Sequence, residues 1–290
     1  MPRMTAQSFP VTDHLLRESQ TALSEVLQLT SNEARIEAVM LLRHALGNVS
    51  SAWLIAHERE ALSNEHHAVF DVMLRRRLAG EPIAYILGER EFYGLNFKVT
   101  PAVLIPRPET ELLVELALQR LPHKGRVLDL GTGCGAIALS IAHVRPEIKM
   151  TAVDASNEAL EVTRENVKRL KLNNVSLLCS DWFTGLCGER FDCIVCNPPY
   201  IAFGDPHLQQ GDLRFEPAYA LASGMEGLDD IRRIVSHAPA HLVSGGWLMM
   251  EHGYEQAARV RELLQLAGFA EVFAAKDLAG IERVSGGRLA

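Results

Sequence analysis

A chain of 290 residues with 48% hydrophobic and 22% charged residues and a net charge of -7 has the make-up of a globular protein of one large or two ordinary domains. That composition excludes disordered, collagen-like and coiled-coil classes. No apolar run approaches the ~18 residues of a membrane span, and residues 1–10 lack the apolar core of a signal peptide, so a soluble, cytoplasmic protein with no membrane partner is expected. Residues 1–100 carry 10 basic and 12 acidic side chains and residues 101–290 carry 19 and 24. Neither part is built to neutralise phosphates, and no direct nucleic-acid binding is expected.

Residues 1–88 read as a small helical bundle. Leu15, Leu16, Leu23, Val26 and Leu27 recur at helical spacing. Thr30 and Glu33 have capping-box spacing, Ser50 or Ser51 and then Ser63 can cap further helices, and Pro82 can open a last turn that Gly88 ends. Arg75-Arg76-Arg77 reads as a solvated, dipole-favoured last helical turn. In residues 89–107, β-rich runs flank Gly94, as in a hairpin, and Pro101, Pro106 and Pro108 then punctuate a linker.

From residue 108 to 290 the pattern alternates. Helices are expected at 109–121, 136–144, 156–171, 229–243 and 254–267, and seven strands at 126–130, 150–153, 175–179, 191–196, 247–251, 269–274 and 282–289. Alternation of this kind makes a mostly parallel α/β sheet covered on both faces, with ligands at the carboxyl ends of the strands. Five cysteines, an odd number, do not suggest a disulfide framework. Cys193 and Cys196 stand three apart in a strand and so face opposite ways. His237 and His241 are four apart but have Pro239 between them and no third ligand, so surface placement and no metal are expected.

The first strand of the sheet runs into Asp129-Leu130-Gly131-Thr132-Gly133-Cys134-Gly135-Ala136. Glycines allow positive φ and close backbone approach to a ligand. The loop fits two patterns: the dinucleotide fingerprint G-x-G-x-x-[GA], and the D-x-G-x-G-x-G loop that holds S-adenosylmethionine in Rossmann-like methyltransferases. Asp154 ends the second strand, where a carboxylate accepts ribose hydroxyls, which supports an adenosine cofactor of either kind. After the third strand, Asp181 can accept from an adenine amino group and Trp182 can offer a flat face.

The fourth strand ends in Asn197-Pro198-Pro199-Tyr200. Two prolines remove two donors and fix two φ angles, and Asn197 before proline is pushed to an extended conformation. This stiff loop presents the Asn197 side-chain oxygen, a proline carbonyl and the Tyr200 ring. Two acceptors and a flat face suit a planar NH2 group, either a glutamine amide or the exocyclic amine of a base such as adenine.

With these loops, the stretches Pro82-Ile83-Ala84-Tyr85-Ile86-Leu87-Gly88, Leu104-Ile105-Pro106-Arg107-Pro108-Glu109-Thr110-Glu111, Glu216-Pro217 and Glu251-His252-Gly253 resemble the protein-(glutamine-N(5)) methyltransferases that modify peptide chain release factors. Residues 107–111 resemble that branch more than the one acting on a ribosomal-protein glutamine. The resemblance implies a Rossmann-like, seven-stranded S-adenosylmethionine-dependent methyltransferase domain after an N-terminal helical bundle. It implies that Asp129, Gly131, Thr132, Gly133, Cys134, Gly135, Asp154, Asp181, Trp182 and Asn197 serve the cofactor. It further implies that Asn197, Pro198, Pro199 and Tyr200 bind and activate the glutamine of a Gly-Gly-Gln tripeptide in class-1 release factors. The helical bundle is expected to help dock that partner. The alternative substrates are an adenine amino group in nucleic acid and a ribosomal-protein glutamine.

Overall fold

The structure is a computed structural model that describes residues 11–290. The stretch read above for a leader, residues 1–10, lies outside the described residues. The chain divides between Gly88 and Glu89 into two compact units.

The first unit holds α1 (Thr12–Leu27), α2 (Ser31–Ala45), α3 (Ser51–Ala56), α4 (Asn64–Leu78) and α5 (Ile83–Leu87). Side-chain caps start three of them. Thr30 and Glu33 form a full capping box at α2, Ser50 accepts from the Trp53 amide, and Ser63 accepts from the His66 amide. Leu15, Leu41, Leu42, Leu54, Phe70, Met73, Ile83 and Ile86 form the core. Val26, expected on the apolar face of α1, is instead exposed.

The arginine run also departs from its sequence reading. Arg75 pairs with Asp71 and Arg76 with Glu81, both at the surface. Arg77 is buried, and its guanidinium forks onto Glu37 of α2 at 2.7 and 3.1 Å. Its neighbours on the helix face solvent, but the α-helical turn carries Arg77 round to the α2 side.

The second unit opens with a hairpin of β1 (Glu89–Phe92) and β2 (Leu95–Lys98). Tyr93 and Gly94 both have positive φ, as a two-residue turn between twisted strands requires. The hairpin is fastened to the sheet domain, because Asn166 bonds both the amide and the carbonyl of Lys98.

The sheet consists of β3 (Arg126–Leu130), β4 (Lys149–Asp154), β5 (Val175–Cys179), β6 (Phe191–Cys196), β7 (Leu242–Glu251), β8 (Phe269–Lys276) and β9 (Glu282–Leu289). Its order is β5-β4-β3-β6-β7-β9-β8, with β9 antiparallel to its neighbours and the other pairs parallel. The helices are α6 (Glu111–Arg120), α7 (Ala136–Val144), α8 (Asn157–Arg169), α9 (Asp229–His241) and α10 (Ala257–Leu266). Leu128, Leu130, Ile194, Cys196, Leu248 and Met250 face α9 and α10 through Ile231, Ile234, Val235, Val260 and Leu264. By strand alternation Cys193 and Val195 point to the opposite side, where α6 packs on β6 and β7. Cys193 and Cys196 are therefore both buried, free and on different faces.

Pro239 sits inside α9 without ending it. His237 is exposed, and His241 stacks on Phe183 with centroids 4.7 Å apart. The helix expected at 109–121 begins as a separate 3-10 turn, Pro108–Thr110. The 3-10 turns between residues 206 and 220 carry no hydrophobic period and were not legible. Among the described residues, no helix is long and apolar enough to cross a membrane.

Removing the carboxylate opposite a buried guanidinium costs about 3–5 kcal/mol. Glu37→Ala is expected to destabilise the helical unit on that scale. Denaturant unfolding monitored by helical circular dichroism checks this; loss below about 1 kcal/mol, the value of a surface pair, would contradict it.

Candidate functional site

Sheet order puts a topological switch point between β3 and β6, because the chain leaves β3 toward β4 and β5 and returns on the other side. Register then sets three strand ends level. Leu130 pairs with Cys196 and Cys196 with Met250, so Gly131, Asn197 and Glu251 emerge side by side.

The loop after β3 is stitched to β4. The amides of Gly131 and Thr132 both donate to the Val153 carbonyl at 2.9 Å, and the Gly133 amide donates to Asp154 Oδ2 at 2.9 Å. Gly131 and Gly133 hold positive φ, which glycine adopts at no steric cost. Behind the loop, the Thr163 hydroxyl donates to the Gly133 carbonyl at 2.6 Å and Asn166 donates to the Cys134 carbonyl at 2.8 Å. These two α8 residues have no signal in the sequence, where Thr163 and Asn166 read only as polar positions of a helix.

A cavity of about 240 Å³ opens over these strand ends. Gly131, Gly133, Asp154, Asp181, Trp182, Asn197 and Pro199 line it, with Ala102, Ser180, Tyr219 and Asp230. Asp129, Thr132, Cys134 and Gly135, expected among the cofactor residues, are not in that lining. Asp129 is wholly buried, and its Oδ2 accepts the Thr132 hydroxyl at 2.7 Å. It braces the loop from beneath. Cys134 is buried with its thiol pushed up to about 12 by burial. A Cβ on Gly135 would press on Leu139 and Thr163 at 2.9 Å, so this glycine serves the close approach of α7 and α8.

Asp154 is fixed through both oxygens, Oδ1 accepting from the Ser156 amide and Oδ2 from Gly133. Burial pushes its carboxyl above the ordinary value. The Asp181 carboxylate is held by Arg233 in a two-pronged pair at 2.9 and 2.7 Å, so its oxygens are already engaged. Trp182 lies against the Gly131 backbone, and its indole Nε1 donates to Asp230 Oδ1 at 3.1 Å. Asp230, the first-turn acid of α9, also accepts from Ser223 at 2.6 Å. That α9 reaches this cavity through Asp230 is visible only in the fold.

A second cavity, about 140 Å³, lies beside the first. Arg107, Asn197, Pro198, Tyr200, Ile201 and Leu213 line it, and Leu104, Asn197 and Ala220 belong to both cavities. Asn197 thus stands in the wall between them, with Pro198 on one side and Pro199 on the other. Asn197 Nδ2 donates to Thr110 Oγ1 at 3.3 Å. The Thr110 hydroxyl donates to Glu251 Oε2 at 2.6 Å, and the Tyr200 hydroxyl donates to Glu251 Oε1 at 3.2 Å. Thr110 and Glu251 are buried. Burial pushes the carboxyl of Glu251 and the phenol of Tyr200 upward. Arg107 pairs with the buried Glu216, which also accepts from the Ile105 amide at 3.1 Å.

The loop is clamped from outside as well. Gln256 donates to the Tyr200 carbonyl at 3.0 Å, and a Cβ on Gly227 would overlap that same oxygen. Thr110, Glu216 and Glu251 stand in stretches that carry the family resemblance and Gln256 in none, but only the fold reveals what each of them holds.

The first cavity is lined by three aspartates and by no lysine, arginine or histidine. Such a lining opposes a pyrophosphate and favours a cationic ligand. A Cβ on Gly133 would stand in open space, so the backbone there is bare for a ligand. Asp154 retains lone pairs for hydroxyl donors, and Trp182 offers a ring face. S-adenosylmethionine, with a sulfonium, a ribose and a flat base, fits this set; a dinucleotide does not. The fold and the site define a Rossmann-like methyltransferase.

Comparison with known proteins narrows the class. Residues 14–88 match the family model described as PrmC N-terminal domain, and residues 108–211 the one described as Methyltransferase small domain. Over 258 residues the chain is 52% identical to the release factor glutamine methyltransferase of Bordetella pertussis, covering 88% of this chain and 95% of that one. It is 45% identical over 277 residues to the release factor glutamine methyltransferase of Escherichia coli, covering 95% and 98%. A solved methyltransferase from Pyrococcus furiosus shares the fold at a TM-score of 0.52 and 20% identity, covering 74% of this chain and 96% of that one. The chain belongs to the release factor glutamine methyltransferase family.

Burial pushes the Asp129 carboxyl from 3.8 up to about 7, against the Thr132 hydrogen bond that lowers it. The folded state therefore holds a proton that the unfolded state releases between these values, and stability falls as pH rises through that window. Asp129→Asn removes this slope. Its melting temperature relative to the unmodified protein should rise by a few degrees from about pH 4 to about pH 7. A pH-independent difference in scanning calorimetry would show that Asp129 does not titrate there.

Proposed function

We propose that this protein transfers a methyl group from S-adenosylmethionine to the side-chain amide nitrogen of the glutamine in the Gly-Gly-Gln motif of class-1 peptide chain release factors. The observation that carries this reading is Asn197. It is a rigidly held carboxamide in the wall shared by a cavity suited to a cationic nucleoside and a smaller one beside it.

In this reading the bare backbone of Gly133 admits the cofactor, Asp154 takes its ribose hydroxyls and Trp182, packed on Gly131, covers a ring face. When bound, S-adenosylmethionine supplies a methyl carbon made electrophilic by its sulfonium sulfur. The chain's contribution is to position and polarise the nucleophile. A carboxamide nitrogen is poor in electrons because its lone pair is delocalised into the carbonyl. Asn197 Oδ1 and the Pro198 carbonyl accept its two hydrogens, and the Tyr200 ring, tied to Glu251, walls its plane. Acceptors placed this way stabilise the positive charge that builds on nitrogen, and fixing both partners removes the entropy of encounter. Asn197 is too weak a base to keep the proton released on methylation, which passes to water.

Docking falls to the helical unit, where a groove among α1, α2 and α3 is lined by Leu16, Val39, Leu54 and Ile55 with the charged Asp13, Arg17, Arg35 and Glu58. Action on a translation factor also supports a cytoplasmic location.

The test is to incubate the protein with S-adenosylmethionine and a class-1 release factor and to weigh the Gly-Gly-Gln peptide. One methyl increment on the glutamine is expected; methyl found only in added nucleic acid would sink the proposal. Asn197→Ala should lower kcat by roughly 100-fold, the loss seen on removing one preorganised polar partner of a reaction centre.

A further inference from the structure

We propose that Thr110, braced by Glu251, is a positioning residue that dictates which end of the Asn197 carboxamide faces the reaction; this rests on the glutamine-methylating reading above. A threonine hydroxyl has one proton and two lone pairs. The Thr110 proton is committed to Glu251 Oε2 at 2.6 Å. Only lone pairs remain toward Asn197, so the group 3.3 Å away must donate, and that is Nδ2. The single acceptor of the side chain, Oδ1, is thereby turned away from Thr110. In the reversed amide two oxygens would face each other with no proton between them.

Glu251 is the anchor of this chain of bonds. It ends β7 one position beyond the Cys196–Met250 pair, so the register sets it beside Asn197. Its second oxygen accepts the Tyr200 hydroxyl at 3.2 Å. One buried carboxylate thus ties both ends of the Asn-Pro-Pro-Tyr segment, one through Thr110 and one directly. Thr110 itself is the last residue of the 3-10 turn Pro108–Thr110 and is buried. The turn runs directly into α6 at Glu111, and at this junction the Thr110 hydroxyl stands between Glu251 and Asn197.

The variants Thr110→Val and Thr110→Ser separate positioning from packing. Valine keeps the shape and removes the lone pairs; serine restores them. With S-adenosylmethionine and a class-1 release factor, Thr110→Val should lower kcat at least about tenfold, the scale of one hydrogen bond lost or reversed. Thr110→Ser should recover most of that rate. Since Thr110 acts through Asn197, Thr110→Val should slow the Asn197→Ala enzyme no further. A Thr110→Val enzyme with unchanged kcat would overturn the inference. So would a serine variant as slow as the valine one, or losses that multiply in the double variant. If the unmodified protein leaves the glutamine unmethylated, the functional reading fails and takes this inference with it. If that protein methylates and is indifferent to Thr110→Val, this inference alone fails.

Discussion

Parallel register across β3, β6 and β7 is the constraint on which the rest of the sheet unit depends. Leu130, Cys196 and Met250 lie level, and a slip of one residue would turn each following side chain to the other face of the sheet. Asn197 would then leave the wall between the cavities and Glu251 would lose both hydroxyl donors. The register is strongly specified because both faces are buried. Leu128, Ile194 and Leu248 must meet α9 and α10, while Val127, Val195 and Met249 are equally excluded from water. Hydrophobic packing far from the chemistry therefore sets the chemistry's geometry.

Around those strand ends the protein gathers negative charge that burial makes costly. Asp129, Asp154 and Glu251 all sit above their ordinary pKa because water is excluded. Each is braced by hydroxyl or amide donors rather than by a cation: Thr132 for Asp129, Gly133 and Ser156 for Asp154, Thr110 and Tyr200 for Glu251. The one carboxylate in the lining that holds an arginine is Asp181, at the exposed rim. A field of this sign, left without an internal counter-ion, is complementary to a ligand that carries its own positive charge into the cavity. It also separates the methyl-donor reading of the glycine loop from the dinucleotide reading, which the loop's spacing alone leaves open.

What could be read from the sequence was what local rules encode. Capping residues placed α2, α3 and α4, because an N-cap is a short-range hydrogen bond. The seven strands and five following helices were legible from apolar period and from glycine and proline punctuation. The two loops were legible because glycine and proline constrain the backbone wherever they stand. What was not legible depends on distance in the chain. Arg77 is buried because Glu37, forty residues away, comes to meet it. Asp230 reads as a first-turn helix acid, yet it holds the Trp182 indole across 48 positions. Thr110 and Glu251 are 141 apart, and neither residue type announces a partner. Asp129 shows the same dependence on the fold: the loop motif places it with the cofactor residues, and the structure shows it wholly buried beneath the loop and bonded to Thr132.

The same distinction bears on why an amide, and not a carboxylate, stands at position 197. In the proposed reaction a carboxylate would accept the substrate's hydrogens more strongly, but it has no proton to give Thr110, whose own proton is spent on Glu251. It would also add a further buried charge beside Glu251, at a cost that paired groups alone offset. The carboxamide resolves both conflicts. Its nitrogen donates back into the buried chain of bonds that ends on the Glu251 carboxyl, and in the proposed reaction its oxygen is left for the substrate. In a site of low dielectric such a series strengthens its terminal acceptor. On the proposed reading, Asn197 thereby brings part of the influence of Glu251 to the reaction while the carboxyl itself stays behind the wall.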